Sequence, residues 1–120
     1  FRPEAYVPMA ATWSINNRGS ALRIPVSDAT NRRIEHRLAG ADANPYLALA
    51  ALLAGVHHGL VNRIDPGPPV IGDGYAAAGA DPAAAALPGD WFAAVRALEA
   101  GVILPAYLGA ATIAMFASVK

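Results

Sequence analysis

Alternation and periodicity divide this chain into a β-rich first third and a helical remainder. Met9–Ile15 reads as a strand, and Asn16, Asn17 and Gly19 supply turn chemistry because Asn and Gly tolerate positive φ. Ser20–Val26 is then the returning strand of a hairpin, with Pro25 placing that strand at a sheet edge or marking its end. Ser27–Asn31 is a polar turn, and Arg32–Leu38 alternates strictly. There Arg33, Glu35 and Arg37 leave one face while Ile34, His36 and Leu38 leave the other.

From Pro45 to about Val61 the pattern changes to a helix that is apolar all round, which is normally a buried one. Asn44 is placed to cap it, and Pro45 fits the first helical position because its missing N–H would have no partner there. The apolar run is broken by His57 and His58 and is too short to span a membrane. Ala48, Ala51, Gly55 and Gly59 are small residues that would let another element approach closely. Residues 64–88 are rich in proline and glycine, so they form a long loop that wraps a larger body or is partly disordered, with one helical turn at most near Ala83–Ala86. Asp90 can cap a helix over Trp91–Ala100 with the apolar stripe Trp91, Val95 and Leu98, and Gly101 stops it. A last helix starts near Pro105 and runs to Lys120.

Composition narrows the picture. At 120 residues the length suits one domain, yet 55% hydrophobic and 15% charged residues are apolar for a free-standing one. Much of the surface is therefore expected to be covered by something else. Nine basic and nine acidic residues cancel, so no global field points to nucleic acid or to a membrane surface. Without cysteine there are no disulfides and no thiolate metal sites. The opening FRPEAYVP lacks a basic region followed by an apolar core, and a cytoplasmic protein is expected. The abrupt apolar start and finish predict a piece of a longer polypeptide.

Charge is concentrated in the β-rich third. Arg18, Arg23, Arg33 and Arg37 are more than one carboxylate, Glu35, can neutralise, so they repel one another unless they face water or an anion. Guanidinium forks beside a carboxylate suit an anionic, metal-bound ligand; the same pattern also describes a solvated sheet face. His57 and His58 point about 100° apart on a helix and do not share one metal site, and His36 is an ordinary strand residue. Gly72 and Gly74 lack the preceding strand and the following Lys-Ser or Lys-Thr of a phosphate loop.

Two segments resemble the catalytic domain of the glutamine synthetase superfamily. Asn17-Arg18-Gly19-Ser20-Ala21-Leu22-Arg23-Ile24-Pro25 is similar to its Asn-Arg-Ser-x-x-x-Arg-Ile-Pro signature. Arg32-Arg33-Ile34-Glu35-His36-Arg37, followed by Asn44-Pro45-Tyr46-Leu47, is similar to its Arg-Arg-Ile-Glu-x-Arg and Ala-Asn-Pro-Tyr pair. The resemblance implies an α+β fold: antiparallel strands over about 9–38, a buried helix over about 45–61, a long Pro/Gly-rich loop and two C-terminal helices. Residues 1–120 would be a partial catalytic domain truncated at both ends, with the N-terminal β-grasp domain absent. The implied activity is ligation of an amine to the γ-carboxylate of glutamate with ATP and Mg²⁺ or Mn²⁺, in a homo-oligomer of nitrogen metabolism that binds neither nucleic acid nor membrane.

Roles carry over residue by residue as implications. Arg18 matches a catalytic arginine; Arg18, Arg23 and Arg33 match ATP-side arginines; Arg37 matches the glutamate-binding arginine; Glu35 matches a metal ligand. Ammonia-using members have a glutamate that falls at Tyr6 here, with Glu4 two residues earlier. That departure, with the wording around Glu35–Tyr46 and Trp13-Ser14, looks more like the γ-glutamylputrescine and γ-glutamylpolyamine synthetase branch. Two alternatives stand: a glutamine synthetase using ammonia, and a non-catalytic structural or sensing homologue. The isolated 120 residues are expected to be inactive.

Overall fold

The computed structural model describes residues 7–76 and 86–119. The expectations for Glu4, Tyr6 and residues 83–85 lie outside that range. The chain divides into two compact units, Phe1–Ala39 with Pro66–Leu87, and Gly40–Asp65 with Pro88–Lys120.

The first unit holds a three-stranded sheet, β1 (Trp13–Ile15), β2 (Leu22–Ile24) and β3 (Glu35–His36), in the order β1-β2-β3. β2 and β3 are antiparallel, with Leu22 opposite His36 and Arg23 opposite Glu35. β1 and β2 are parallel, pairing Trp13 with Leu22 and Ile15 with Ile24, which corrects the expected hairpin. Asn16 does take the positive φ expected of a turn residue, 54°. The connection, however, carries the chain back to the start of β1 before β2 begins, so the strands run side by side. The sheet is thus mixed, and its strands are shorter than the alternation suggested. Pro25 follows the last residue of β2, the central strand, and ends it as expected.

Ser14 and Ser20 are completely buried and Ala10 and Ala21 nearly so, making a small-residue core beneath the strands. The Pro/Gly-rich segment is laid along β1. The Val70 N–H donates to the Trp13 carbonyl at 2.9 Å, and the Trp13 indole Nε1–H donates to the Gly67 carbonyl at 3.0 Å. Ala86 forms a bridge with Ala10. With Pro66, Pro68 and Pro69 removing donors, this segment cannot enter a ladder as a central strand, and it satisfies its remaining groups one at a time.

The second unit is helical. α1 (Pro45–Val61) begins where the cap predicts: the Asn44 side-chain oxygen accepts from the Tyr46 and Leu47 N–H groups at 3.0 and 3.3 Å. α2 (Trp91–Ala100) is capped by Asp90, whose carboxylate accepts from the Ala93 N–H at 2.7 Å. The single C-terminal helix that was expected is two, α3 (Ile103–Leu108) and α4 (Ala110–Ser118). Gly109 separates them at φ 84°, ψ 139°, a conformation outside the helical region that glycine adopts without a Cβ clash.

α1 packs on α3, and α4 packs on both α3 and α2. The expectation of a buried α1 is not met within this chain: Ala54 is its one buried residue, while Leu49, Leu53 and Leu60 are 54%, 57% and 74% exposed. A helix apolar on every side needs neighbours on every side, and α1 packs closely on one helix among the described residues. A Cβ placed on Gly55 or Gly59 would likewise meet no described atom within 4 Å, so the close approach these glycines permit goes unused here. On α2, Val95 and Leu98 are half-buried while Trp91 is 49% exposed.

Candidate active site

The sheet register gathers the charged residues. Because Arg23 and Glu35 are directly opposed on antiparallel strands, their side chains leave the same face, and Arg23 Nη1 donates to Glu35 Oε2 at 2.7 Å. Arg33 holds the other oxygen: its Nε donates to Glu35 Oε1 at 3.3 Å and its Nη2 lies 3.2 Å from it. One carboxylate thus serves two guanidiniums. Hydrogen bonding from Arg23, reinforced by the positive charge of both arginines, holds the Glu35 carboxyl below its ordinary value, so it is ionised at neutral pH. Asp28 is also held low, by donors from Thr30 and Asn31, but it only closes the polar turn before β3.

Arg37 follows a different course. Its main-chain N–H continues the ladder to the Ala21 carbonyl at 3.0 Å, and its guanidinium turns to the backbone carbonyls of Arg18 and, at 3.5 Å, Ser20. It therefore braces the turn that carries Arg18. The shared strand face expected of Arg33, Glu35 and Arg37 is realised for Arg33 and Glu35, while the cross-strand partner Arg23 was not foreseen. Alternation within one strand does not reveal which residue of another strand comes opposite; only the register does.

Beside this cluster lies an open cleft of about 670 Å³. One wall is polar and cationic, formed by Asn16, Asn17, Arg18 and Arg23; the other comprises Ile15 with Pro69, Val70, Ile71 and Gly72. Arg18 is exposed, and its guanidinium makes no ion pair among the described residues. Arg23 gives Nη2 to the Asn16 side-chain oxygen, and its buried Nε has no partner among them. A guanidinium such as that of Arg18, at a cleft lined by no carboxylate, suits an anion. The contribution of the Pro/Gly-rich segment was not legible in the sequence, because no periodicity ties residues 69–72 to β1.

A divalent cation fits these residues poorly by themselves. Both Glu35 oxygens are engaged by arginine, and no group of three or more His, Cys, Asp or Glu side chains among the described residues could hold a metal. On the helices, His57 Nδ1 lies 2.7 Å from the Tyr107 hydroxyl, a contact between α1 and α3. His36 is exposed.

Comparison with known proteins identifies the family of the chain. The profile of the family described as glutamine synthetase, catalytic domain, matches residues 1–120. The chain is 54% identical over 74 residues to the gamma-glutamylputrescine synthetase of Escherichia coli strain K12, covering 62% of this chain and 16% of that protein. It is 42% identical over 77 residues to the gamma-glutamylethanolamide synthetase of Streptomyces coelicolor, covering 64% and 16%, respectively. The glutamine synthetase of Methanosarcina mazei is 42% identical over 67 residues, 56% of this chain and 15% of the relative. A solved structure titled "Apo GmaS without ligand" superposes with a TM-score of 0.75 at 38% identity, covering 96% of this chain and 27% of that one. The matches thus span about a sixth of the curated relatives' length.

Proposed function

Because this chain belongs to the glutamine synthetase catalytic-domain family, we propose that the protein it forms part of is an ATP-dependent ligase. It joins the γ-carboxylate of glutamate to an amine, putrescine or another polyamine, through γ-glutamyl phosphate. The observation that supports this best is the cleft wall formed by Arg18 and Arg23. Transfer of a phosphoryl group to a carboxylate develops charge on its oxygens, and fixed guanidiniums stabilise that charge without reorganising.

In this reading Arg18 is the catalytic residue that contacts the phosphoryl group, and Arg23 and Arg33 complete the ATP side. Arg37 binds glutamate by exchanging a backbone carbonyl for the substrate carboxylate. Glu35 supplies one oxygen ligand at most to Mg²⁺ or Mn²⁺, after Arg23 has moved off it; the remaining ligands come from outside the described residues. Until then Glu35 keeps Arg23 and Arg33 extended along the sheet face.

An amine rather than ammonia is favoured by the wording shared with the polyamine branch and by the 54% identity to a gamma-glutamylputrescine synthetase, against 42% to a glutamine synthetase. The full-length protein, given glutamate, ATP and Mg²⁺, should release phosphate faster with putrescine than with ammonium at equal concentration. Faster glutamine formation from ammonia than coupling of any amine would overturn the amine assignment. No amine-dependent ATP hydrolysis is expected from residues 1–120 alone, and detecting it in a clean preparation, with loss on Glu35→Ala, would contradict that expectation.

A further inference from the structure

The turn carrying Arg18 is held from two sides. On one, Arg37 binds the Arg18 carbonyl. On the other, the Asn17 amide makes two bonds: its oxygen accepts from the Gly19 N–H at 2.9 Å, and its Nδ2 donates to the Gly72 carbonyl at 2.7 Å. Residues 17 and 19 flank Arg18, so one side chain closes the backbone around that arginine and ties it to the Pro/Gly-rich segment.

That segment is seated at four successive points. Gly67 meets Trp13, Val70 meets Trp13 again, Gly72 meets Asn17 and Gly74 meets Gly19. At the last point the two backbones touch: a Cβ at Gly74 would lie 3.0 Å from the Gly19 Cα and carbonyl carbon, tighter than nine in ten real Cβ contacts. Between these points Pro69, Val70 and Ile71 form the wall opposite Arg18 and Arg23. Cleft width and Arg18 placement therefore depend on the same amide.

We propose that Asn17 is a positioning residue of the ligase reaction. It sets the Arg18 guanidinium and the 67–74 segment at a fixed separation, so that the cleft accepts the nucleotide phosphates in one pose. The proposal rests on the reading of the cleft as the ATP side of the site. Asn17 acts through Arg18 and the segment and touches no reacting atom itself.

The test uses three variants of the full-length protein. Asn17→Ala removes both amide bonds, Gly74→Ala keeps the Asn17 side chain but crowds the segment against the Gly19 backbone, and Arg18→Ala serves as the control. For the first two, ATP dissociation constants from calorimetry and KM for ATP should rise about three- to tenfold, the range expected of one lost net hydrogen bond. KM for glutamate should change less than about twofold, and the Val70 amide should exchange faster with deuterium, as a bond freed from its support does. A lowered melting temperature with unchanged ATP affinity and KM in Asn17→Ala would overturn the proposal, leaving a structural role alone. If Asn17→Ala does not fold, Gly74→Ala decides in the same way. Unchanged ATP affinity in Arg18→Ala would instead overturn the reading of the cleft.

Discussion

The two units solve the problem of holding a fold together in different ways. The sheet unit relies on directional bonds between identified atoms: Arg23 on Glu35, Trp13 on Gly67, Asn17 on both Gly19 and Gly72. Its buried residues, Ser14, Ser20, Ala10 and Ala21 among them, are small. The helical unit relies on capped, apolar helices and buries little of what they offer. Ala54 and Ile113 are its buried apolar residues, while Leu49, Leu53, Phe92 and Met115 stay largely exposed. The proposed chemistry is sited where positions are specified by hydrogen bonds, because a charge-stabilising group must be placed to a fraction of an ångström. Apolar contacts tolerate rearrangement that such a site cannot.

Breaking the polar unit should therefore cost function, whereas breaking the helical unit should cost stability. The largest effect is expected from Arg23→Ala, which removes a donor from the cleft and leaves Glu35 with Arg33 alone. Ligase turnover of the full-length protein should fall by about 10²- to 10³-fold, as on losing one preorganised charge-stabilising donor. A loss below fivefold would make Arg23 a structural residue like those of the other unit.

Next comes the pH response of Glu35. Its folded-state pKa lies below the unfolded value, so its ion pairs stabilise the fold above the unfolded value and are lost as pH falls through the lower, folded one. In acid unfolding, the stability difference between the wild type and Glu35→Gln should stay constant from neutral pH to about 5 and shrink below about 4, near the unfolded carboxylate value. A difference that fades already between pH 7 and 6 would show that Glu35 is not held ionised by arginine.

In the helical unit, Asn44→Ala should lower stability by about 1 kcal/mol through loss of the cap bonds to Tyr46 and Leu47. Chemical denaturation followed by far-ultraviolet circular dichroism would measure it. The smallest effect belongs to Leu53→Gln in residues 1–120 alone, within about 0.5 kcal/mol, because that side chain is 57% exposed. A cost above about 2 kcal/mol, comparable to emptying a core site, would mean that this face of α1 is covered and would erase the contrast between the units.

Local chemistry made much of the fold legible beforehand. Asn44-Pro45 and Asp90 set two helix starts to the residue, since a cap and a ring-constrained φ act within one turn. The surplus of arginine over carboxylate in one third of the chain was legible, but by itself it fitted an anion site and a solvated sheet face alike. The parallel pairing of β1 with β2, the opposition of Arg23 to Glu35 and the break at Gly109 were not legible. Nor was the seating of residues 67–74 along β1. Capping, turn residues and charge balance are properties of neighbours along the chain, and the sequence alone determined them. Which strand meets which, and which loop walls the cleft, depend on contacts between residues about ten to more than fifty positions apart, so the tertiary structure decided them.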